Sequence, residues 1–586
     1  MDHSDLRELI FGRYRNAVFL SILTVSSALA FGPNATITPI ILTLTLLLVY
    51  SRFIFRSAHP CGVPQACLLC ALAVGASFSR FRASLSALST PAESIATLFV
   101  SAVILSSLTL LALYVDTKFC TRFNSSWAQI TLFPALWATL WCTISYFSPV
   151  GHLSTWSAAD HSDAYNWIVS IAGPASKDWI IGAWAVVMSQ FIGAWYMGHQ
   201  DEDILPQDNQ PRRQKFHFQV GILALCLTFA TIPSFLIPQF PLLVSDINVS
   251  TPLTVGCVLP PFQRYKHHIL TLDDFIKESE KIRSSARVIL WPEGAVIFNN
   301  ASERDEGLEL VRKRLPGTHI GVSFEETMDD PHDSTGKTSI RRTGIAVVSQ
   351  GSSESHIYYK RHLVPCEQTF ASNFLDCDSI SSFPVAESFS LSHSSTPPSI
   401  FEIGLAPPKD VKKIEWAPAP NYTRSIPVTS SICLDFAFPS PFADLPSRPA
   451  LILAPARTWE RTVGHAMWLQ ARQRAAELQT IVLWCDGGEG GVSGVAGRGF
   501  NDVVQVGSGS FVRTIGIQYP FNDQKTLFAR LGDSFLILFW IFVFVPGQLN
   551  LSAVTLRRTL DKMHRVGGYL WQRTRRVVHN PPNLLD

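Results

Sequence analysis

The stretch Ile289-Leu290-Trp291-Pro292-Glu293-Gly294 decides how this chain is read. It closes the apolar, β-rich run ARVILWPE (286–293). Pro292 has no N–H to give a sheet, so it stops the strand, and Glu293 emerges at the strand's end. Two further strand ends share this character. YYKRHLVP (358–365) sets Lys360 at the end of HIYYK (356–360), and SSICLDF (430–436) sets Cys433 where an apolar run turns polar. Polar groups at strand ends of an α/β sheet are held by rigid elements while their reacting atoms stay accessible.

The surrounding sequence supplies the layers for such a sheet. Further β-rich runs are HIGVSF (319–324), GIAVVS (344–349), ALILAP (450–455) and TIVLWC (480–485). Helical stretches at 273–284, 303–314 and 462–479 separate some of them. Strands alternating with helices predict a layered α/β domain. Residues 367–425 are rich in Ser and Pro and read as a long surface loop. The 11 Cys form no CxxC pair and no metal-type Cys/His spacing, so no metal or other cofactor is expected. A disulfide between Cys366 and Cys377 is left open.

The α/β block is only part of the chain. Of 586 residues, 16% are charged, and mean hydropathy is +0.19. A soluble domain carries about 25% charged residues. The first 200 residues hold 10 basic and 8 acidic residues, far fewer in proportion than the remainder. A soluble enzyme, a disordered chain, a collagen and a small disulfide scaffold are thereby excluded. A net charge of +2 gives no nucleic-acid signal. Apolar runs lie at about 16–32, 36–51, 62–79, 94–115, 128–147, 179–197, 217–238 and 534–551. Each approaches the roughly 20 residues that cross about 30 Å of hydrocarbon as a helix, which predicts about 8 transmembrane helices.

Basic residues in short loops set the orientation. With the N-terminus cytoplasmic, the inner segments carry Arg7, Arg13, Arg15, Arg52, Arg56, Lys118, Arg122, Arg212, Arg213 and Lys215. The outer loops carry only Arg80, Arg82 and Lys177. The expected organisation is therefore a seven-span domain at 1–240, a non-cytoplasmic domain at 241–530, an eighth helix at 531–552 and a basic cytoplasmic tail at 553–586. That tail holds Arg557, Arg558, Lys562, Arg565, Arg573, Arg575 and Arg576, a charge density suited to an anionic inner leaflet. Glycosylation sequons stand at Asn34, Asn124, Asn248, Asn300 and Asn421, four of them on the outer side. They point to a eukaryotic glycoprotein of the plasma membrane or endoplasmic reticulum.

A carboxylate, an amine and a thiol in this order resemble the Glu–Lys–Cys set of the nitrilase, or carbon–nitrogen hydrolase, superfamily. Seven spans, such a domain and a final span are similar to the apolipoprotein N-acyltransferase family. The resemblance is carried by LWPEGAV (290–296), YYKRHLVP (358–365), SICLDF (431–436), HAMWLQARQRAAELQ (465–479) and TLFARLGD (526–533). It departs from the family at Cys433-Leu434-Asp435, where the bacterial enzymes have Cys-Tyr-Glu. It departs again at LVPCEQ, where LVPFGE is usual and Glu367 sits one position early. APARTWE keeps the family's Trp, as Trp459.

The resemblance implies a polytopic α-helical membrane domain plus a nitrilase-like αββα sandwich. It implies catalysis by Glu293, Lys360 and Cys433, with Glu293 as general base and Lys360 stabilising the thiolate and oxyanion. Leu434 would offer its backbone N–H to the oxyanion, Glu367 and Asp435 would orient Lys360 or the amine, and Trp459 would belong to the surroundings. The implied partners are a phospholipid acyl donor and an amine acceptor, a lipoprotein or another amine, met by a monomer in the membrane. A membrane-tethered amidase, with water as acceptor, fits the same triad. A Cys/His pair of Cys433 with His465 or His362, and a transporter or scaffold with a vestigial domain, are the other readings.

Overall fold

The computed structural model describes residues 14–32, 36–54, 63–85, 90–120, 122–123, 125–157, 163–197, 210–244, 246–261, 270–329, 339–349, 355–364, 391–408 and 411–545. Glu367, the tail 553–586 and the sequons at Asn34 and Asn124 lie outside the described residues. The sequons at Asn248, Asn300 and Asn421 are exposed.

Among the described residues, helices cover the apolar runs, and five are long and apolar enough to cross a membrane: Gln65–Ser84, Pro91–Cys120, Ser126–Phe147, Phe216–Leu236 and Leu527–Val545. Five such helices are shown among the described residues, and the remaining spans of the expected eight are not. Asn16–Ala30 and Ile37–Arg52 are shorter apolar helices. Pro174–Met197 carries Lys177 and Asp178 near its start and runs through the bundle core, burying Ile180, Ile181, Val186 and Val187. A helix shielded by its neighbours need not be apolar all round, so length and hydropathy alone misjudge it. At Gly182 a Cβ would stand 2.9 Å from the Pro134 Cα, so two helix backbones meet directly there.

Among the described residues the α/β block contains 13 strands in two sheets. The first six are β1 (Ser250–Cys257), β2 (Val288–Leu290), β3 (Val296–Phe298), β4 (His319–Asp329), β5 (Ser339–Val348) and β6 (His356–Tyr359). Then come β7 (Phe401–Leu405), β8 (Arg424–Ser430), β9 (Leu451–Ala456), β10 (Ile481–Asp486), β11 (Val492–Gly497), β12 (Phe500–Val506) and β13 (Phe511–Gln518). One sheet runs β13-β1-β2-β4-β5-β6 with β3 beside β4, and the other runs β12-β11-β10-β9-β8-β7. Within each, the central strands β1-β2-β4 and β8-β9-β10 are parallel and the flanks antiparallel. Parallel strands buried on both faces read as unbroken apolar runs, which is why the sequence signals them so clearly.

Strand alternation divides the core. Val255, Leu290, Ile345 and Val347 meet Val428, Leu451, Leu453 and Leu483 between the sheets. Ile289, Trp291, Ile320, Val322 and Phe324 turn outward onto Phe275, Ile276, Leu308 and Val311 of the helices Leu272–Ile282 and Ala301–Arg314. The helix Arg461–Leu478 covers the outer face of the second sheet with Met467, Trp468 and Leu469. The layers are helix, sheet, sheet, helix.

The loop expected at 367–425 is corrected in part. It includes β7, in which Phe401, Ile403 and Leu405 are buried while Glu402 and Gly404 face out. This period of two is a strand signal that the Ser and Pro content obscures. The run TSSICLDF also divides, into the end of β8 and a 3₁₀ turn, Cys433–Ala437.

A disulfide joins Cys257 of β1 to Cys485 of β10 across the two sheets. It closes a loop of 228 residues. Cross-links of this reach constrain the unfolded chain strongly, so replacing both cysteines by Ser is expected to cost about 2–5 kcal/mol. Denaturant unfolding of the double variant against the oxidised parent, with the reduced parent matching the variant, checks this.

The two halves of the molecule touch along the helix Arg461–Leu478. Arg472 pairs with Asp163 at 3.1 Å, and Gln479 donates to the Ser170 hydroxyl at 3.0 Å. Arg474 and Glu477 form a buried pair at 2.7 Å beside these contacts.

Candidate active site

Glu293, Lys360 and Cys433 come from three separate strand ends and converge at one end of the sandwich. Glu293 follows β2, and its N–H donates to the Ala456 carbonyl at the end of β9. The Gly294 N–H donates to the Ser323 hydroxyl of β4 at 3.3 Å, and that hydroxyl donates to the Gly344 carbonyl of β5 at 3.1 Å. Gly294 has φ +61, a left-handed conformation that a side chain would strain. The carboxylate is therefore aimed by a turn tied to both sheets.

Lys360 follows β6. Its N–H donates to the Thr343 carbonyl at 2.9 Å, and its carbonyl accepts from Ser394 N–H at 3.0 Å. Its Nζ donates to Glu293 Oε1 at 2.6 Å. Lys360 is 2% exposed and Glu293 8%. Burial works against the ammonium, but the Glu293 carboxylate, with a smaller contribution from the Cys433 side, holds the lysine pKa above its usual range. A buried ammonium is tolerated here because a carboxylate oxygen lies against it.

Cys433 opens the 3₁₀ turn after β8 with φ +42. A non-glycine residue in the left-handed region costs about 1–3 kcal/mol and persists only where its surroundings impose it. The surroundings here are a strand that has just ended and a turn whose five residues are all buried. The thiol is 5% exposed. Burial pushes its pKa well up and the Glu293 carboxylate adds to this, while Lys360 and a hydrogen bond from the Arg457 backbone N–H oppose it. The resting sulfur is thus a thiol beside a carboxylate, and it needs a base at the moment of attack.

Asp435, two residues on, clamps the two strand ends together. Its Oδ2 accepts from the Tyr358 hydroxyl at 2.7 Å and from Ile432 N–H at 3.2 Å. Its Oδ1 accepts from the backbone N–H of His362 at 2.8 Å and of Arg361 at 3.2 Å. The turn bearing Cys433 and the segment bearing Lys360 are fixed relative to one another through this carboxylate. His362 Nδ1 lies 3.0 Å from the same Oδ1 and its ring stacks on Phe438, so this imidazole is committed to Asp435.

The other expected positions are placed as follows. Leu434 is the second residue of the turn, with its side chain buried. Trp459 is half-buried, and its indole Nε1 makes no hydrogen bond among the described residues. Glu367 lies outside them. Three groups that sequence reading missed also face the site. Asp486 ends β10 and accepts from Thr458 through backbone N–H (2.9 Å) and hydroxyl (2.7 Å). Burial raises its carboxyl, and Glu293 adds to the effect. The signal was available, since TIVLWC runs straight into Asp486 as another strand end. Tyr358 and Glu325 sit within strands, and only the fold relates them to the site.

A carboxylate paired to a lysine, next to a buried thiol on a constrained turn, can deprotonate the sulfur and neutralise an oxyanion. No family model and no curated protein matches the sequence. Among solved structures, it is similar to Saccharomyces cerevisiae Nit3, a member of branch 10 of the nitrilase superfamily. The identity is 17%, with 47% of this chain and 93% of that one covered and a TM-score of 0.30. It is similar to an amidase from Nesterenkonia sp. at 15% identity, covering 47% and 92%, TM-score 0.26. Similarity to the Caenorhabditis elegans NitFhit protein is 16%, covering 45% and 60%, TM-score 0.28.

Proposed function

We propose that the protein is a membrane N-acyltransferase that moves an acyl chain from a phospholipid to an amine through a Cys433 thioester. Glu293 takes the Cys433 proton as the sulfur attacks the ester carbonyl. A C–S bond forms, the ester C–O bond breaks, and the proton passes to the departing lysophospholipid oxygen. The amine then attacks the thioester; a C–N bond forms, the C–S bond breaks and the sulfur is reprotonated through Glu293. Lys360 and the Leu434 backbone N–H stabilise the oxyanion in both steps.

The observation that carries this reading is the contact between the Cys433 turn and the membrane helices. A Cβ on Gly151, four residues after the end of the helix Ser126–Phe147, would stand 2.5 Å from the carbonyl oxygen of Ala437. Gly151 has φ +55 and leads a buried 3₁₀ turn, so the backbone of the membrane part lies directly on the backbone of the nucleophile turn. A thiol held there reaches an ester whose acyl chain stays in hydrocarbon. The Cys257–Cys485 disulfide supports an oxidising, non-cytoplasmic side for the domain. On this reading the chain crosses the membrane eight times, with the domain lumenal or extracellular.

A water-discharged thioester would make the same site a hydrolase. The test is lysophospholipid release from labelled donor vesicles with and without a primary amine. The expected result is release that rises with amine concentration, together with labelled amide. Release of free fatty acid at a rate independent of amine would replace the transferase reading by the hydrolase one.

Asp435 is a positioning residue in this scheme. Replacing it by Ala removes the acceptor of the Tyr358 hydroxyl and the Arg361 and His362 N–H groups. Lost hydrogen bonds to a charged group cost about 1.5–3 kcal/mol each at buried sites. The expected outcome is a fall in kcat of about 10²-fold with donor KM little changed. A rise in KM with kcat preserved would assign Asp435 to binding instead.

A further inference from the structure

We infer that Glu325 is the carboxylate that receives the acceptor's ammonium group, making the second half-reaction selective for cationic primary amines. The inference rests on the acyl-transfer reading above and names the acceptor class for that same site.

Glu325 lies in the second half of β4, whose residues alternate between two faces. Ile320, Val322 and Phe324 point to the outer helices. Gly321, Ser323 and Glu325 therefore share the face toward the second sheet. Gly321 marks that face, since a Cβ there would lie 3.5 Å from Leu453 of β9. Two residues along, Ser323 holds the Gly294 N–H. Two further along, Glu325 stands over Gly294 itself, its Oε1 2.9 Å from where a Cβ would be. The carboxylate thus borders the residue that follows Glu293.

Its surroundings set its orientation. Oε2 pairs with Arg341 Nη2 at 2.8 Å, and the side chain remains 15% exposed. Burial raises the carboxyl, Arg341 and Arg457 oppose this, and Glu293 and Lys360 also act on it. Glu325 is a partly buried carboxyl held by Arg341, with one oxygen over Gly294 beside the reacting groups.

The chemistry requires such a group. An approaching ammonium is repelled by the Lys360 cation, and the Glu293 carboxylate at 2.6 Å is committed to that cation and to the Cys433 proton. A second carboxylate at the same face offsets that repulsion. The ammonium loses two protons on becoming an amide. One returns to the Cys433 sulfur through Glu293 and the other goes to solvent.

The test uses the full-length protein in detergent–phospholipid micelles and separates the half-reactions. Formation of the Cys433 adduct from phospholipid is measured first. Discharge is then followed with a cationic primary amine, ethanolamine, and with hydroxylamine, a nucleophile that is neutral at pH 7. Glu325→Gln is expected to need about tenfold more ethanolamine for half-maximal discharge, a loss severalfold larger than any change in its adduct formation or its hydroxylamine discharge. Glu325→Asp is expected to recover most of the ethanolamine dependence. Unchanged ethanolamine dependence in Glu325→Gln, or an equal loss with both nucleophiles, overturns the inference. Absence of any adduct in the parent overturns the acyl-transfer reading itself.

Discussion

Cys433→Ala is expected to abolish acyl transfer, lowering kcat/KM by roughly 10⁴–10⁶ while leaving the protein folded. The size follows from the sulfur's role as the atom that carries the acyl group. Without it the pathway has no covalent intermediate, and what remains is binding and electrostatic preorganisation. The fold is expected to survive because the left-handed conformation at position 433 is imposed by the turn and its contacts with Asp435 and Gly151. Alanine there removes one small apolar-like group and keeps the backbone. Circular dichroism and thermal unfolding of Cys433→Ala should overlay the parent. Residual transfer above about 1% would show that the acyl group travels by another route.

Lys360→Met should damage activity less than Cys433→Ala does, but be much worse for stability. The ammonium lies 2.6 Å from Glu293 Oε1, and both groups are almost wholly buried. Removing one partner of a buried pair leaves an uncompensated charge, at about 3–5 kcal/mol. Loss of the oxyanion's cation costs a further factor of roughly 10²–10³ in kcat. The double variant Glu293→Gln/Lys360→Met separates the two effects. It removes both charges, so stability should return most of the way to the parent while activity stays absent. If the double variant were as unstable as Lys360→Met alone, the pair would not be the source of the instability.

The parts legible in the sequence were those fixed locally. Glu293, Lys360 and Cys433 each end an apolar run, and strand ends are visible one segment at a time. The central parallel strands were visible for the same reason, because Val288–Leu290 and Leu451–Ala456 are apolar on both faces. The parts that stayed hidden join distant segments. Asp435 reaches the Lys360 segment through hydrogen bonds to Tyr358, Arg361 and His362, more than 70 residues earlier, and no local pattern names those partners. The pairing of Cys257 with Cys485 has no local signal, since both sit in ordinary-looking strands. Glu325 gains its meaning only when β4 is placed beside Gly294. The helix Pro174–Met197 shows a different limit of local reading. Hydropathy sees the side chains of Pro174–Met197 and not the neighbours that shield them.

The thioester is the central claim, and intact-protein mass spectrometry after incubation with a phospholipid of defined acyl chains addresses it most directly. The account predicts a mass increase of one acyl group, mapped to Cys433 by digestion, absent from Cys433→Ala and from Glu293→Gln, and lost on adding hydroxylamine. A parent protein that turns over donor with no adduct at Cys433, or an adduct that persists in Cys433→Ala, would contradict it.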